Sequence, residues 1–325
     1  MKIVVLAASG CLPSAFVGLM DVLTLAQWAP ANRRQSGPAF EILSASADGA
    51  PVTDGRGCRV DVMRSLDEIG TCAAVIVPGF LPDNALRPPS MAGLASVATW
   101  LRAAHDSGAL VCGSCSGSFL LAEAGLLDRR RCTTTWWLHE EFKRRYPRVH
   151  AVWASPMIED DRIATAGGPL SWIDLALHVI RRLMGAEAAR AAADFAVVDA
   201  APSAGAAYVP IGYLSRAGHW LADAEHVVRH AGGQRIGARE LAQRLATSER
   251  TLHRRLTEAT GESPKRFIDR VRIETAQTLL ESGQQSVKEI SAAVGYEDES
   301  SFRRRFKRLV GTTPAAYRNR CRDRR

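Results

Sequence analysis

One unit is written twice in the last ninety residues of the chain, 236–325, and this duplication limits the possible folds more than any other feature. Glu240-Leu241-Ala242 recurs as Glu289-Ile290-Ser291 at an offset of 49 residues. Five apolar or turn-forming positions then recur at an offset of 50: Leu252, Leu256, Gly261, Pro264 and Phe267 return as Phe302, Phe306, Gly311, Pro314 and Tyr317. A period of about fifty residues indicates a repeated supersecondary unit.

Each copy has the pattern of a short helix, a tight turn and a second helix. In the first copy, the apolar side chains that fall at helical spacing are Leu241, Leu245, Leu252 and Leu256. The turn is expected at Ala246–Ser248, with Ser248 capping the second helix and Gly261 ending it. In the second copy, Gly295 stands in the turn. The sequence therefore predicts two helix-turn-helix units in tandem.

Two further helices are predicted around these units. Ser263 can cap a helix between the two copies, and Pro264 fits its first turn, where no backbone N–H is needed. This helix is expected to run for about sixteen residues, from Lys265 to Glu281. A helix over Trp220–Ala231 is expected to support the first copy.

The formal charge is concentrated on the same ninety residues. Residues 236–325 contain 20 Lys and Arg against 12 Asp and Glu, whereas residues 1–235 contain 22 of each. The whole net charge of +8 therefore lies on the duplicated segment. Charge alone would also fit the solvated face of a helical bundle. Together with two candidate recognition helices, it favours binding to the phosphate backbone of DNA.

Three stretches of the duplicated segment resemble the DNA-binding domain of AraC-family transcription regulators. They are Ile290–Tyr296, Ser301–Arg308 and Gly311–Arg318. The resemblance implies that the second helix of each copy enters one of two successive major-groove segments of promoter DNA, about one helical turn apart. It places six base-reading side chains on these helices: Arg250, His253, Arg254, Ser300, Arg303 and Arg304. Because Arg303-Arg304-Arg305 is a continuous row, its members are expected to face different ways.

The first two hundred residues alternate apolar strands with amphipathic helices. Strands are predicted at Lys2–Ala8, Phe40–Ser46, Ala73–Pro78 and Leu110–Cys112. Helices are predicted at Ala15–Trp28, Ala92–Ser107 and Ser116–Ala124. This alternation favours an α/β, flavodoxin-like domain whose mostly parallel sheet is covered by helices on both faces.

The end of this domain is predicted to hold a hairpin and two helices. The hairpin would pair Val149–Trp153 with Ile163–Thr165 and turn at Glu159–Asp161. The helices would be Trp172–Met184 and Ala186–Val198. These two helices are also candidates for a surface that joins two copies of the chain.

Three segments are expected in the whole chain: an α/β domain over residues 1–200, a linker over 201–217 and an all-α DNA-binding domain over 218–325. The linker prediction depends on Ala200–Ala207, where small residues with Pro and Gly separate two periodic segments.

Chemically informative residues lie at the carboxyl edge of the predicted sheet, where ligands bind in folds of this kind. That edge carries Ala8-Ser9-Gly10, Pro78-Gly79 and Gly113–Gly117. Gly113-x-Cys115-x-Gly117, between a strand and a helix, has the pattern of a nucleophile elbow, in which the glycines permit a sharp turn. The N-terminus of the following helix is expected to stabilise a thiolate at Cys115.

This elbow is similar to that of the PfpI and glutamine-amidotransferase-like fold. With Leu120–Leu127, Cys132–Trp136 and Ile163–Gly168 added, residues 1–200 look like the amidase-like sensor half of GlxA-type AraC-family regulators. The resemblance implies a cleft for a small effector, and it suggests nitrogenous metabolites such as amino acids or quaternary amines. The ligand-binding positions would be Ser9, Gly10, Gly79, Cys115, Ser116, Thr135 and Trp136.

Two departures from the family pattern argue against catalysis. A nucleophilic thiol needs a base that is itself oriented by a third group. Thr135 stands where the family commonly has His, and Ala15 where the enzymes have an acidic residue. His139, one helical turn after Thr135, is interpreted as a surface histidine. Cys115 is therefore predicted to be a vestige of an amidase site, and a Cys115-dependent amidase-like activity is the weaker alternative.

The pattern Cys112-x-x-Cys115 leaves a redox role open, because two thiols at this spacing can form a switch. Cys112, however, is a strand residue that is expected to point into the core, where cysteine packs as a small hydrophobe. A redox-sensing regulator is therefore kept as an alternative to a metabolite sensor.

The remaining composition concerns the setting of the protein. Seven cysteines without framework spacing indicate a reducing compartment. No apolar run approaches the roughly 18 residues of a membrane span, and no His, Cys or carboxylate spacing indicates a metal or a cofactor. We expect a cytoplasmic homodimer with no membrane association. Its partners would be promoter DNA, a small-molecule effector and, if it is an activator, RNA polymerase.

Overall fold

The computed structural model describes residues 1–29, 40–83, 85–152, 155–198, 220–234, 236–260, 262–282 and 285–322. The chain forms two compact units, Met1–Gly205 and Ala206–Arg325. The linker predicted at 201–217 lies outside the described residues.

The first unit is built on a parallel sheet. Its described strands are β1 (Lys2–Leu6), β2 (Glu41–Ser46), β3 (Val52–Thr53), β4 (Arg59–Val60), β5 (Arg64–Ser65), β6 (Ala74–Val77), β7 (Leu110–Ser114), β8 (Arg131–Cys132), β9 (His150–Ala151), β10 (Met157–Asp160) and β11 (Ile163–Ala166). Seven of them form one sheet in the order β10-β11-β7-β6-β1-β2-β5. Only β10 and β11 are antiparallel neighbours in it, so the predicted mostly parallel sheet is confirmed.

Helices cover both faces of this sheet. In chain order they are α1 (Pro13–Trp28), α2 (Leu66–Ile69), α3 (Ala95–Asp106), α4 (Ser118–Glu123), α5 (His139–Arg145), α6 (Trp172–Met184) and α7 (Ala186–Ala196). Alternate residues of β1 point to opposite faces, as the period of a strand requires. Ile3 and Val5 pack with α1, α6 and α7, whereas Val4 and Leu6 pack with α3, α4 and α5. The α/β fold class is therefore confirmed.

The hairpin at the end of this unit differs from the prediction. Its first strand is β10, which pairs with β11 and turns at Asp161 and Arg162, both at positive φ. The predicted partner segment lies elsewhere, because β9 pairs with β8; Trp153 is outside the described residues. The prediction was wrong because β10 is polar: Glu159 lies within the strand and binds His178 and Arg182 of α6.

The second unit is all-helical among its described residues. Its helices are α8 (Trp220–Arg229), α9 (Ala238–Arg244), α10 (Glu249–Thr260), α11 (Pro264–Ser282), α12 (Val287–Ala293), α13 (Glu299–Val310) and α14 (Pro314–Arg322). The pairs α9–α10 and α12–α13 are the two helix-turn-helix units. The connecting helix α11 has 19 residues, slightly more than predicted.

The two helix-turn-helix units use equivalent turns. Gly295 has φ +83°, and Ala246 has φ +48° at the corresponding place in the first helix-turn-helix unit. A Cβ on Gly295 would lie 2.8 Å from the carbonyl oxygen of Gln234, so only glycine fits there. The N–H of Thr251 donates to Ser248 Oγ, which confirms the predicted cap of α10. Gly261, the predicted end of that helix, lies outside the described residues.

The duplicated apolar positions form two separate cores. Leu252 and Leu256 are fully buried in the first core, and Phe302 and Phe306 are fully buried in the second. The helix α11 contributes to both. Its N-terminal half supplies Phe267, Ile268 and Val271 to the first core, and its C-terminal half supplies Ile273, Ala276 and Leu280 to the second.

Candidate DNA interface and buried elbow

Six exposed side chains, three on the second helix of each helix-turn-helix unit, are the predicted base readers. They are Arg250, His253 and Arg254 on α10, and Ser300, Arg303 and Arg304 on α13. Each trio follows the spacing i, i+3, i+4, which places its members on one side of a helix. The buried leucines and phenylalanines of the two cores lie on the opposite side of the same helices. The structure therefore presents both trios to solvent.

The row Arg303-Arg304-Arg305 does point in three directions. Arg303 pairs with Glu299, one turn earlier on the same helix, at 2.5 Å. Arg304 donates to Ser301 Oγ at 3.0 Å and is exposed. Arg305 turns inward and pairs with Asp269 of α11 at 2.7 Å. Only Arg305 of this row is thus held by the scaffold, and Arg303 and Arg304 remain available at the surface.

Sequence reasoning missed the contacts that hold the two helix-turn-helix units together. Arg272 of α11 donates to the carbonyl oxygens of Gln234 (3.3 Å) and Ile236 (3.2 Å), which precede the first helix-turn-helix unit. Its guanidinium also lies 5.6 Å from the centroid of the Tyr296 ring, in the turn of the second helix-turn-helix unit. Asp269 accepts a hydrogen bond from the Tyr296 hydroxyl and forms an ion pair with Arg305. The available signal was a pair of charged residues at i, i+3 beside Ile268, on the buried side of α11.

The elbow of the first unit has the strained backbone that its sequence predicts. Cys115 follows β7 directly and has φ +52°. For a residue other than glycine, this conformation costs about 1–2 kcal/mol. Gly117 is needed for close approach, because a Cβ there would lie 2.6 Å from the carbonyl oxygen of Val77. A turn of 3-10 helix, Cys115–Gly117, precedes α4.

The expected thiolate at Cys115 is contradicted. Only 2% of the residue is exposed, and this burial raises the pKa of its thiol. Hydrogen bonds with the Ser116 backbone, the Thr135 hydroxyl and the Ser116 hydroxyl oppose that effect without reversing it. The prediction was wrong because the thiol is enclosed by the fold. Desolvation outweighs the partial positive charge of nearby backbone amides.

Backbone amides that could stabilise an oxyanion near Cys115 already have partners. The N–H of Gly79 donates to Ser114 Oγ at 3.0 Å, and the N–H of Phe80 donates to Ser116 Oγ at 2.9 Å. Both contacts are buried. Since Ser116 Oγ also donates to the Phe80 carbonyl oxygen, its hydroxyl is used within the protein.

The other predicted ligand positions differ in how far they are exposed and in whether their polar groups have partners. The N–H of Gly10 donates to the Thr53 carbonyl oxygen at 2.8 Å, whereas Ser9 is exposed. Trp136 is half-buried, and its ring centroid lies 5.2 Å from that of Trp137. Thr135 is fully buried, and its Oγ1 has no nitrogen or oxygen partner among the described residues. A buried hydroxyl without such a partner is costly, so Thr135 beside Cys115 marks a place where a ligand atom could bind.

The sequence had indicated that His139 is a surface histidine, but the structure shows that it is buried. Its exposure is 3%, and it is the first residue of α5. Burial, with a smaller contribution from Lys143, lowers the pKa of His139 to about 3. The ring is therefore neutral at neutral pH and a weak proton acceptor. Ala15, at the position of the missing acid, is fully buried on α1.

Cys112 packs in the core, as predicted. It has no exposed surface, and burial raises the pKa of its thiol. It packs with Ile76 and Leu110 on the face of the sheet that α1, α6 and α7 cover. Cys112 and Cys115 are both free thiols.

The described part of the chain has neither a metal cluster nor a membrane-spanning helix. No group of three or more His, Cys, Asp or Glu side chains could hold a metal ion there. None of the described helices is both long and apolar enough to cross a membrane.

Comparison with known proteins divides the chain in the same way. Residues 1–182 match the DJ-1/PfpI family, and residues 241–320 match a helix-turn-helix domain. The chain is similar to the HTH-type transcriptional regulator CdhR of Pseudomonas aeruginosa, with 29% identity over 276 residues, 83% of this chain and 79% of that protein. It is also similar to the HTH-type transcriptional regulator GlxA of Rhizobium meliloti, with 28% identity over 298 residues, 89% of this chain and 88% of that protein.

A solved structure shares the fold of the first unit. Drosophila melanogaster DJ-1beta matches with a TM-score of 0.51 and 21% identity, over 61% of this chain and 98% of that chain. At this level of identity the likeness concerns the fold alone.

Proposed function

We propose that a small nitrogenous metabolite controls this protein, which belongs to the DJ-1/PfpI family and carries an AraC-type helix-turn-helix domain. The chain is a DNA-binding transcription regulator with the architecture of GlxA-type regulators. The metabolite would bind at the elbow of the first unit. The tandem helix-turn-helix of the second unit would then read promoter DNA.

The exposed trios on α10 and α13 support the proposed reading of bases. Arginine can donate two hydrogen bonds to guanine O6 and N7, which discriminates by about 1–3 kcal/mol per contact. Arg250, Arg254, Arg303 and Arg304 would supply such contacts, and His253 and Ser300 would contribute single hydrogen bonds. Two recognition helices on one connecting helix would enter successive major-groove segments.

The buried Oγ1 of Thr135, which has no nitrogen or oxygen partner among the described residues and is paired only with the Cys115 thiol, is the observation that supports effector binding at the elbow. The nearby backbone donors are engaged elsewhere in the protein, so the Thr135 hydroxyl and the Cys115 thiol, which bond to each other, are the groups that a ligand could engage. Trp136 is half-buried and could pack against a cationic or apolar part of the molecule. An effector changes DNA binding only if it binds one arrangement of the protein better than another.

We propose that the elbow has no catalytic activity. A nucleophilic thiol requires ionisation and a base, and burial opposes both at Cys115 and His139. The Gly79 amide, a candidate oxyanion donor, is bonded to Ser114 Oγ. Burial of Cys112 in the core likewise argues against a disulfide switch with Cys115, which leaves the metabolite sensor as the better supported function.

We further propose that the protein is a homodimer. The outer side of α1 exposes two large apolar side chains beside Asp21: Val17 is 53% exposed and Trp28 is 58% exposed, and the helix has no Lys or Arg. The end of α7 also exposes Phe195 and Val197. A second copy of the chain packed on this side would cover these apolar side chains. As a DNA reader, the protein would act in the cytoplasm, and as an activator it would contact RNA polymerase.

Thermal unfolding of the full chain in the presence of a panel of amines and amino acids tests the proposal. A ligand at about a hundred times its Kd should stabilise the first unit by roughly 2.7 kcal/mol. Thr135→Val, which removes the hydroxyl and keeps the side-chain shape, should lose that stabilisation. Cys115→Ser serves as the second variant at the same site. Stabilisation that persists in Thr135→Val, or that no compound produces, would contradict the assignment of the elbow as the effector site.

A further inference from the structure

A charged groove lies between the two helix-turn-helix units. Its volume is about 830 Å³, and it is lined by the start of α9, the N-terminal half of α11, the turn before α13 and one side of α13. All of these elements belong to the second unit. Because both helix-turn-helix units contribute to its walls, whatever fills the groove contacts both of them.

The floor of the groove has no free charge to offer. Asp269 and Arg305 neutralise each other at 2.7 Å, and both are largely buried. Arg272 is 8% exposed and donates to two backbone carbonyl oxygens. These groups are engaged in holding the second unit together, so recognition of a ligand must come from the rim.

The rim carries an excess of positive charge. Lys265, Arg304 and Arg308 are exposed there, and neither Lys265 nor Arg308 has an ion-pair partner among the described residues. Two acidic residues, Glu297 and Asp298, also line the groove. The Asp298 carboxylate is occupied as the cap of α13, where it accepts from the N–H groups of Ser300 and Ser301. Of the eight charged residues that line the groove, five are cationic and three are acidic, so its net charge is +2.

The groove opens beside the proposed DNA-reading surface. Arg304 belongs to both, since it lines the groove and is one of the exposed trio on α13. If α10 and α13 enter two major-groove segments about one helical turn apart, the sugar-phosphate strand between those segments must cross the space between the two helix-turn-helix units. The groove is lined by the start of α9 in the first helix-turn-helix unit and by the turn and α13 of the second, which makes it the candidate for that space.

We infer that this groove is a seat for the DNA backbone, in which Lys265 and Arg308 bind phosphates of the strand between the two major-groove segments. The inference rests on the proposed reading of DNA by α10 and α13. Both side chains bind phosphate by charge, and Arg308 can also donate two parallel hydrogen bonds. Neither contact reads a base, so they contribute equally on every sequence.

Salt dependence of DNA binding tests this seat. Full-length wild type, Lys265→Ala, Arg308→Ala and the double variant are titrated onto a random-sequence duplex of about three helical turns. Each titration is repeated between about 50 and 200 mM salt. Each lost phosphate contact should reduce the magnitude of the slope of log affinity against log salt by roughly 0.9, and weaken binding by about eightfold near 100 mM salt. The double variant should lose about two such contacts.

Arg266→Ala is the matched control. Arg266 is the next residue on α11, is exposed and carries the same charge, but it does not line the groove. Its removal should leave the slope unchanged, and Lys265→Arg should retain the slope of wild type. A slope that is unchanged in the double variant, while DNA still binds, overturns the inference. Absence of binding to any duplex by wild type and Arg266→Ala alike would instead contradict DNA reading itself.

Discussion

Asp269 and Arg305 form an ion pair of 2.7 Å that joins the connecting helix α11 to the second recognition helix α13. The side chains are only 11% and 26% exposed, so water screens the pair weakly. Tyr296 also donates to the Asp269 carboxylate, at 3.3 Å. The orientation of α13 is therefore set by a carboxylate on the connecting helix α11.

Removal of Arg305 should destabilise the second unit. Arg305→Ala leaves the Asp269 carboxylate without its cation, and we expect a loss of roughly 1–3 kcal/mol in the free energy of unfolding. Denaturant unfolding followed by circular dichroism measures this loss. The double variant Asp269→Asn/Arg305→Ala should recover part of it, because no buried charge remains. Full additivity of the two single variants would show that the pair does not act as a unit.

Arg304→Ala should instead affect DNA recognition and leave stability nearly unchanged. Its side chain is exposed, and its bond to Ser301 is local to α13. We expect specific binding to an operator obtained by in vitro selection to weaken by roughly tenfold or more, and binding to random DNA to weaken much less. Fluorescence anisotropy on the two duplexes measures both effects, with Arg266→Ala as the control for lost charge. Equal losses on both duplexes would remove Arg304 from the base readers.

Burial of His139 should make the protein less stable in mild acid. The pKa of His139 is lowered from 6.5 to about 3 in the folded chain, so the unfolded chain binds the proton first as the pH falls. Stability due to this group is complete above pH 6.5 and is lost as the pH falls through about 3. Between pH 6.5 and pH 5 the loss should reach roughly 2 kcal/mol.

Unfolding of His139→Gln at both pH values measures that contribution. The variant should show a smaller loss than wild type, and His253→Gln, at an exposed position, should not differ from wild type. Part of the loss should persist in both variants, because burial also lowers the pKa of His178. An equal pH dependence in His139→Gln and wild type would mean that His139 is accessible in solution.

A charge on the outer side of α1 should separate the proposed dimer. Val17→Asp or Trp28→Asp places a carboxylate on the apolar surface that a second copy would cover, where an unpaired charge is costly. Light scattering after gel filtration should give half the mass of wild type. Met63→Asp is the matched control, since Met63 is 53% exposed but lies outside α1 and α7. A monomeric wild type would contradict the proposed interface directly.

Much of the fold followed from local patterns in the sequence. The duplicated apolar positions, spaced for helices, became the fully buried residues of two cores. The apolar strands became a parallel sheet, since strands buried on both faces need no polar alternation. Where a strand departs from that pattern, as β10 does with Glu159 and Asp160, the hairpin was placed on the wrong segment.

The state of the candidate sites could not be predicted in the same way. A strained turn at Cys115 follows from the residues around it, whereas the protonation of its thiol depends on how completely distant segments enclose it. Gly79 and Ser114 are 35 positions apart, yet their hydrogen bond removes a candidate oxyanion donor. His139 has a charged helical sequence after it, and only the packing of α5 revealed its burial.

The sequence by itself determined the two-unit architecture, the tandem helix-turn-helix and the positions of the candidate base readers, because helical periodicity, caps and repeats are carried by neighbouring residues. Only the tertiary structure decided which ionisable groups keep their charge and which arginines hold the scaffold. Solvent exposure and the pairing of Asp269 with Arg305 arise when segments far apart in the chain pack together. The energy of a charge depends on that surrounding rather than on its neighbours in sequence.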